Sequence, residues 1–414
     1  MKRYIEICVK RVWLLLRWIL LAGGMGILLG LVGGLFGKSV TWVTDFRNTH
    51  AWMLYLLPLA GLVIVAMDRL NPYKGGTNRV LESIQSHAYI PLRMAPLIVL
   101  STVLTHACGG SAGREGAALQ LGGSLGGTVG KWLKFDEYDH RLMIMCGMSA
   151  GFAALFGTPL TATVFAMEVI SVGIMQYAAL VPCSVAALTA KETAELIGAY
   201  GERFLVGKAA VFDLKNAALV VFLAFLCAAV SILFCAVLHH TEHLYKKYIP
   251  DERVRIVAGA CLIIFMAKIL GTTDYMGAGM HMIELAMAGK VAAAAFLLKM
   301  VFTAVTLGSG FRGGEIVPTL FVGAAFGCLF SQVTGLAAPL SAACGMAAVF
   351  CGVTNCPISS LLLSFELFGF ECMPFFLLSV SISYLESGYY GLYHSQKILY
   401  SKTKLQYINT HTKE

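Results

Sequence analysis

The stretch "GMSAGFAALFGTPLTATVFAME" at residues 147–168 recurs as "GMAAVFCGVTNCPISSLLLSFE" at residues 345–366, at a constant offset of 198 residues. The two stretches share residues of different chemical types, namely Gly147/Gly345, Met148/Met346, Phe152/Phe350, Pro159/Pro357 and Glu168/Glu366. Apolar identities arise easily by chance, but proline and glutamate identities at one offset do not. The pattern indicates an internal duplication, whose halves are predicted at residues 1–205 and 206–396.

The composition places both halves in a membrane. Of the 414 residues, 58% are hydrophobic and only 13% are charged, and the mean hydropathy is +0.75. A soluble domain cannot bury that much apolar surface. Residues 18–37 and 217–238 are uncharged over a bilayer-spanning length, whereas other apolar segments are shorter or interrupted by Gly and Pro. We predict an all-α integral membrane protein with well over ten helices, several of them discontinuous or too short to cross alone.

A second pair of stretches obeys the same offset and carries charge. "SAGREG" at 111–116 aligns with "SGFRGG" at 309–314 through Ser111/Ser309, Arg114/Arg312 and Gly116/Gly314. Such glycine-rich backbone is tolerated at membrane depth only where it is buried in protein or lines a cavity. A helix is predicted to begin after each stretch, and its unpaired N–H groups favour a small anion. If the duplicated halves pack as inverted repeats, the two helix N-termini meet near the midplane and form an anion site.

Glu115 is an acid at the place where this anion should bind. Ionised, its carboxylate would occupy the site; protonated, it would leave and admit the substrate. That exchange would couple an anion to a proton. The alternative is a structural Arg114–Glu115 pair that caps a helix, but intramembrane ionisable residues are functional by default.

Charge outside the apolar segments sets the expected topology. Residues 1–17 contain five basic residues and one acid, which favours a cytoplasmic N-terminus, and the Lys-rich tail after Tyr393 is expected on the same side. The net charge of +8 comes without the basic block that a nucleic-acid-binding arm needs, so no nucleic-acid partner is expected. The expected location is the inner (plasma) membrane, and no soluble protein partner is predicted.

Motifs of enzymes and metal sites are missing from the sequence. The 12 cysteines lie mostly in apolar segments and show no CxxC or metal-ligand spacing. The sequence contains no HExxH, P-loop or GxSxG motif, so neither an enzyme nor a cofactor is predicted. The pair His239 and His243 in "HHTEH" has helical spacing for a metal, but a solvated helix end is the favoured interpretation. His106 is interpreted as a packing residue, with a proton shuttle as the alternative.

Three motifs carry a resemblance to a known family. "GREGA" at 113–117 resembles the GREGP/GKEGP motif of CLC-type chloride channels and transporters, and "GEIVP" at 314–318 resembles their GxFxP motif. "GGTN" at 75–78 stands where they carry GSGIP. The missing proline, the acid in "GEIVP" and the missing serine make the chain resemble the fluoride/proton antiporter branch.

The resemblance implies roles for individual residues. Glu115 matches the gating glutamate, which shuttles protons and competes with the anion. Tyr393 matches the tyrosine at the inner end of the anion pathway, with Tyr400 as a rival alignment. The selectivity position falls on Gly76 or Thr77, and the neighbouring Asn78 either donates to the anion or closes a turn. The remaining anion-binding positions implied by the motifs are Gly113, Arg114, Gly116, Ile316, Val317 and Phe321.

The second acidic position of the chloride antiporters is Val169 here, so their inner proton route is absent. Glu168 and Glu366 are interpreted as ion-paired or hydrogen-bonded acids at helix ends. Glu315 either caps its helix or relays the ion or the proton. Phe321 could offer an electropositive ring edge to fluoride, although core packing is the favoured interpretation.

The resemblance further implies one CLC transmembrane domain over residues 1–414, with a short basic tail at 397–414 and no CBS domains. It implies a homodimer in the lipid bilayer, with fluoride and protons as substrate and coupled ion. The alternatives within transport are a chloride/proton antiporter and a passive anion channel. A membrane scaffold without transport is the alternative from another class.

Overall fold

A computed structural model describes residues 1–70, 75–86, 90–204, 206 and 212–413. Within these residues the chain forms 16 α-helices and three short strands. The helices of the first half are α1 (Lys2–Thr49), α2 (Leu57–Asp68), α3 (Gly76–Ser86), α4 (Met94–Ala107), α5 (Glu115–Trp132), α6 (Glu137–Phe156), α7 (Pro159–Glu168) and α8 (Leu180–Leu196). The second half contains α9 (Leu214–Tyr248), α10 (Glu252–Leu270), α11 (Met280–Met287), α12 (Ala295–Gly308), α13 (Ile316–Thr334), α14 (Ala338–Thr354), α15 (Pro357–Phe368) and α16 (Met373–Glu386). The prediction of an all-α protein with discontinuous helices is confirmed.

Helix lengths vary as the interrupted hydropathy predicts. Four helical segments of the described chain are long and apolar enough to cross a membrane, namely Arg3–Thr49, Ala51–Asp68, Leu214–Tyr248 and Ile316–Thr334. Five further apolar helices have only 10–17 residues. Such short helices satisfy their backbone groups inside the helix but need neighbouring helices to bury their ends. The boundary predicted between residues 205 and 206 falls at a stretch where 205 and 207–211 lie outside the described residues.

The two repeats pack corresponding helices in the same way. In the first repeat α5 crosses α6 so closely that a Cβ on Gly122 would collide with the backbone of Gly147. In the second repeat α13 crosses α14, and a Cβ on Gly323 would collide with the backbone of Gly345. Glycine is therefore required at both crossings because the backbones themselves are in contact. These close contacts with α6 and α14 fix the positions of α5 and α13, which follow the two glycine-rich stretches.

The acid that the two repeats have in common, Glu168 in one and Glu366 in the other, bonds in each case to a helix of the opposite repeat. Glu168, at the end of α7, accepts hydrogen bonds from the backbone N–H groups of Ile358 and Ser359 at 3.1 and 2.9 Å. Glu366, near the end of α15, accepts from those of Leu160 and Thr161 at 2.9 and 2.8 Å. Each carboxylate thus caps the N-terminus of the helix that carries the other, where unpaired N–H groups favour a negative charge. The prediction of hydrogen-bonded helix-end acids is confirmed.

The segment predicted as a short basic tail is folded. Strands β1 (Ser171–Val172), β2 (Lys397–Tyr400) and β3 (Tyr407–His411) form one sheet, in which β2 pairs parallel with β1 and antiparallel with β3. A hairpin from residues 397–411 therefore joins the end of the chain to the first repeat. The predicted basic tail at 397–414 thus contains ordered strands, which the sequence did not indicate because strands of two to five residues leave no detectable hydrophobic periodicity.

Candidate functional site

The candidate site is built where the two glycine-rich stretches meet. We call residues 109–114 ramp 1 and residues 309–315 ramp 2. Gly113 and Gly314 form an antiparallel bridge in which each N–H donates to the other carbonyl at 2.7 Å. A Cβ on Gly116 would lie 2.9 Å from the Cα atom of Gly314, so only glycine permits this approach. The ramps of the two repeats are thereby joined through hydrogen bonds between their backbones.

A helix begins directly after each ramp. α5 begins at Glu115 and α13 begins at Ile316, as the sequence predicts. Positive φ angles of 91° at Gly109 and 112° at Gly310 let the chain leave the preceding helices and turn into the ramps. The N-terminal N–H groups of both helices therefore lie beside the Gly113–Gly314 bridge, where they favour an anion.

Glu115 is almost fully buried, with 2% of its surface exposed. Its Oε2 accepts a hydrogen bond from the backbone N–H of Arg114 at 2.9 Å, and its Oε1 lies 3.6 Å from Nε of Arg114. The Arg114 guanidinium also lies 3.7 Å from Glu202 and donates to the carbonyl of Leu155 at 3.5 Å. The structural pair considered from the sequence is thus present, and it holds the carboxylate at the N-terminus of α5.

A cavity of about 440 Å³ lies on one side of the bridge, and we call it the Glu115 cavity. Arg47, His106, Arg114 and Val317 line it together with Glu115. The imidazole of His106 is 1% exposed, and its Nδ1 lies 2.9 Å from the carbonyl of Thr102, whereas its Nε2 is buried with no hydrogen-bond partner. Of the four acids that line this cavity, only Glu115 is buried, since Asp45 and Asp274 are exposed and Glu202 is half-buried.

A second cavity of about 550 Å³ lies on the other side, and we call it the Glu315 cavity. Gly76, Thr77, Asn78, Glu315 and Tyr393 line it. Oε2 of Glu315 and the hydroxyl of Tyr393 are buried without hydrogen-bond partners. Both groups are therefore free to bind a small ion, a proton or water in this cavity.

Asn78 fixes the relative position of two of these segments. Its Oδ1 accepts a hydrogen bond from the backbone N–H of Ser395 at 3.2 Å, which ties α3 to the loop that carries Tyr393. Thr77 accepts a hydrogen bond from Nε2 of Gln120 at 3.3 Å. Gly76 has a φ of 55°, in the left-handed region that favours glycine. Asn78 thus acts in the structure as a connecting residue.

Tyr393 and Tyr400, the two candidates for the tyrosine of the anion pathway, have different environments in the structure. Tyr393 is 2% exposed and lines the Glu315 cavity. Tyr400 lies in β2, is 43% exposed and makes an edge contact with Tyr407 at a centroid distance of 5.6 Å. Only Tyr393 among these three tyrosines lies at the cavity.

Other predicted positions lie deeper in the packing. Glu315 precedes α13, but its side chain makes no capping hydrogen bond. Ile316 is fully buried, and Phe321 is 1% exposed in contact with Tyr275, at a centroid distance of 6.4 Å. Val169 is fully buried, and its carbonyl accepts a hydrogen bond from Gln396 at 3.0 Å. Phe321 therefore packs as core, while Val317 reaches the Glu115 cavity.

Two buried cations were missed from the sequence. Lys299 in α12 is fully buried, donates to the carbonyls of Tyr275 and Gly277 at 3.2 and 2.7 Å, and lies 5.1 Å from the ring centroid of Phe321. Arg47 in α1 is 9% exposed and donates to the carbonyl of His106 at 3.1 Å. Lys299 is a lone charge in an apolar segment, and that signal marks a functional position in a membrane helix.

The sequence "HHTEH" also has a different environment from the predicted solvated helix end. His239, Glu242 and His243 line the Glu315 cavity. Nδ1 of His239 is buried and has no hydrogen-bond partner. The prediction is wrong for this histidine because α9 continues beyond it to Tyr248 and packs beside ramp 2.

A duplicated helical membrane protein that joins two cavities through opposed helix N-termini and buried acids has the architecture of an ion transporter. Residues 62–388 match the family model of the voltage-gated chloride channels. The chain belongs to this family, whose members include CLC transporters, and is a multi-pass membrane protein.

Individual relatives agree with this assignment. The chain is 35% identical over 395 residues to a chloride/fluoride channel protein of Pseudomonas syringae pv. tomato, covering 93% of this chain and 87% of the relative. It is 25% identical over 386 residues to the H(+)/Cl(-) exchange transporter ClcA of Yersinia pestis, covering 84% and 80%. The crystal structure of a CLC-type fluoride/proton antiporter superposes with a TM-score of 0.87 at 31% identity, covering 92% of this chain and 98% of that one. The resemblance to CLC transporters is confirmed.

Proposed function

We propose that the protein is a fluoride/proton antiporter that exports fluoride in exchange for protons. The observation that carries this proposal is the position of Glu115, a buried acid at the N-terminus of α5 beside the bridge that separates two cavities. A carboxylate and a small anion compete for the same N–H groups there. Protonation removes the negative charge of the carboxylate, so that the anion can replace it.

The exchange follows from charge balance at the α5 N-terminus. When Glu115 takes up a proton, its hydrogen bond from the Arg114 N–H weakens because a neutral carboxyl oxygen is a poorer acceptor. An anion then takes the place of the carboxylate beside the first N–H groups of α5 and α13. In the proposal the proton enters from the side to which the anion leaves and is released to the other side, so the anion and the proton move in opposite directions.

The preference for fluoride rests on backbone chemistry and on similarity. Fluoride is small and strongly hydrated, so its site must supply several close donors, and glycine backbone lets N–H groups approach without side-chain obstruction. Gly116, in the first turn of α5, provides such backbone beside the Gly113–Gly314 bridge. The similar solved structure is a fluoride/proton antiporter. The similarity to an H(+)/Cl(-) exchange transporter keeps chloride/proton antiport, or a passive channel, as the second candidate.

The proposed site residues divide between the two cavities. In the proposal Glu115 is the proton-coupled gate, with Arg114 as its partner and the backbone N–H of Gly116 as an anion donor. Gly113, whose N–H is bonded to the Gly314 carbonyl, contributes to the anion site by positioning this backbone. Glu315 relays the ion or the proton in the second cavity. The further anion-pathway residues of the proposal are Gly76, Thr77, Asn78, Ile316, Val317 and Tyr393, whereas Phe321 is assigned to the core.

The proposal includes a homodimer in the inner membrane, with one pathway in each subunit and both termini in the cytoplasm. The dimer part of the proposal rests on the resemblance to CLC transporters. A cross-linked dimer in native membranes is the expected observation. Purely monomeric protein after cross-linking would remove this part of the proposal.

The test uses purified full-length protein in liposomes. A fluoride electrode and a pH electrode follow efflux from vesicles loaded with fluoride or with chloride, for the wild type and for Glu115→Gln. We expect fluoride efflux to drive protons in the opposite direction, and the variant to lose this coupling. Equal chloride transport would replace fluoride by chloride in the proposal, and fluoride efflux without proton movement would indicate a channel. Unchanged behaviour of the variant would remove Glu115 from the mechanism.

A further inference from the structure

The Glu315 cavity extends along one face of the C-terminal part of α9. His239, Glu242, His243 and Lys246 all line it. Their spacing of i, i+3, i+4 and i+7 places them on a single helical face. We call these four residues the α9 face. It spans about 10 Å along the helix axis, since each helical residue rises about 1.5 Å.

Burial increases along the α9 face with distance from the end of the helix. Lys246 and His243 are exposed, whereas Glu242 and His239 are half-buried. At the inner end, Nδ1 of His239 is buried without a hydrogen-bond partner, as is Oε2 of Glu315. Titratable groups therefore line one continuous cavity between the helix end and the ramp.

The α9 face is held directly against ramp 2. A Cβ on Gly308, the last residue of α12, would lie 3.2 Å from the backbone N of Glu242. Ramp 2 begins at the next residue and ends at Glu315. Glu242 and Glu315 also line the same cavity. The α9 face and the acid of ramp 2 are thus neighbours through backbone packing and a shared cavity.

Two properties of the surroundings favour proton transfer over other uses of this cluster. Among the residues that the structure describes, no group of three or more His, Cys, Asp or Glu side chains is arranged to hold a metal ion. The nearby cations are partly neutralised, because Lys246 pairs with Glu242 at 2.5 Å and Arg312 pairs with Asp68 at 2.6 Å. The titratable or charged groups facing the α9 face from packed elements are Asp68 in α2, Glu252 and Arg255 in α10, Arg312 and Glu315 in ramp 2, and Tyr393 and His394 after α16.

We propose that the α9 face carries protons between the solution and Glu315. The inference rests on the proposed antiport and supplies a proton route that the buried Val169 cannot provide. A ring nitrogen of His243 or His239 accepts a proton from the solution. Its N–H bond then breaks as an O–H bond forms on the carboxylate of Glu242 or Glu315, which returns the histidine to its neutral form. The reverse steps release the proton, so no other reactant is needed.

The Glu315 cavity is large enough to hold water molecules that connect the side chains of this route. Its volume of about 550 Å³ exceeds many times the share of about 30 Å³ that one water molecule occupies. Gaps between the side chains can therefore be bridged by water, which is a competent proton carrier between positioned groups. The unpaired His239 Nδ1, Glu315 Oε2 and Tyr393 hydroxyl supply polar partners for it.

The experiment compares His239→Asn/His243→Asn with the matched control His240→Asn in the full-length protein. His240 is exposed on the same helix and does not line the Glu315 cavity among the described residues. Fluoride-driven proton movement is recorded in liposomes with a pH-sensitive dye. At about pH 7.5, where free protons are scarce, we expect the double variant to exchange about tenfold more slowly than wild type and the control, since positioned proton-transfer groups accelerate such steps.

Two further measurements separate proton transfer from structural support. The deficit of the double variant should shrink as the pH falls to about 5, because the higher concentration of free protons speeds their direct transfer from the solution. Imidazole added to His239→Ala should restore part of the lost rate by replacing the missing ring. Glu242→Gln serves as the single-site variant if the double variant does not fold, and it should show the same pH-dependent deficit.

The outcomes distinguish this inference from the proposed function. If the wild type moves fluoride without protons, the proposed antiport itself fails. If the wild type couples protons and both the double variant and Glu242→Gln exchange at the wild-type rate at about pH 7.5, the α9 route alone is overturned. A deficit that is equal at every pH and unaffected by imidazole also overturns it, because that pattern indicates altered packing.

Discussion

The two ramps share one backbone geometry but differ in how their acids are paired. Glu115 is held by the Arg114 N–H at 2.9 Å and lies 3.6 Å from the Arg114 guanidinium. Glu315 precedes the corresponding helix, yet its Oε2 is buried without a partner. The first acid is thus paired with Arg114 in this structure, while Oε2 of the second has no protein partner and is available to what enters its cavity. Duplication preserved the helix N-termini, and the side chains diverged.

The arginines of the two ramps show the same divergence. Arg114 lies against Glu115, whereas its repeat-related counterpart Arg312 turns away and donates to Asp68 at 2.6 and 3.0 Å. On ramp 1 the arginine therefore stabilises an ionised acid, whereas on ramp 2 the equivalent arginine binds Asp68 and so holds α2. Because of this difference, we expect changes on the two ramps to have unequal consequences.

The largest expected effect comes from breaking the contact that both ramps share. In Gly116→Ala the new Cβ would lie 2.9 Å from the Cα atom of Gly314, and neither backbone can move without opening the bridge. Overpacking of this kind costs about 1–3 kcal/mol, and because the strain falls on the backbone beside the anion site, we expect the affinity for fluoride to fall by up to about a hundredfold. Fluoride efflux from liposomes measures it.

The control for that change is Gly24→Ala, since a Cβ on Gly24 would meet nothing within 4 Å. It should transport at the wild-type rate. Normal transport by Gly116→Ala would mean that the ramps separate during function and that their contact is not required.

The second effect concerns Glu315→Gln, which removes the free acid of ramp 2. We expect proton movement to fall about tenfold, because a positioned group that transfers protons is lost, while the protein stays folded. Glu115→Gln should instead abolish coupling entirely. Parallel recordings of fluoride and protons at one fluoride gradient measure both. Full coupling in Glu315→Gln would remove this acid from the proposed proton route.

The features predicted from the sequence are those that leave a repeated or periodic signal. The duplication, the helix starts after the two ramps and the paired roles of Glu168 and Glu366 all follow from identities at one offset. Glycine next to charge inside an apolar chain is rare enough to mark the crossing. These signals arise because backbone contact allows only glycine, and helix N-termini favour acids.

The features that were missed depend on contacts between distant residues. Lys299 was read as part of an apolar segment, and its partners, the carbonyls of Tyr275 and Gly277, give no sequence signal. The hairpin at 397–411 depends on pairing with Ser171 and Val172, far away in the chain. His239 looks like a solvated residue until α9 is packed beside ramp 2. Long-range packing decides each of these cases, and one sequence does not encode it visibly.

A smaller effect is expected from the tyrosine of the second cavity. Tyr393→Phe removes a buried hydroxyl that lines the Glu315 cavity without a protein partner. Loss of one hydrogen bond to a passing ion should slow fluoride transport by about threefold. Tyr400→Phe is the matched control, because Tyr400 lies in β2 and contacts Tyr407. An equal effect of both substitutions on fluoride efflux would indicate a general loss of packing.

The smallest effect on transport is expected where the repeats remained equivalent. Glu168→Gln and Glu366→Gln each weaken hydrogen bonds to two backbone N–H groups of the facing helix and remove a negative charge from its N-terminus. Each should lower the stability by about 1 kcal/mol, seen as faster thermal inactivation in detergent, with transport per folded molecule unchanged. Because the two acids cap separate helices, their effects should add in the double variant. Loss of proton coupling in Glu168→Gln alone would show that the equivalence is only geometric and that the first acid lies on a proton route.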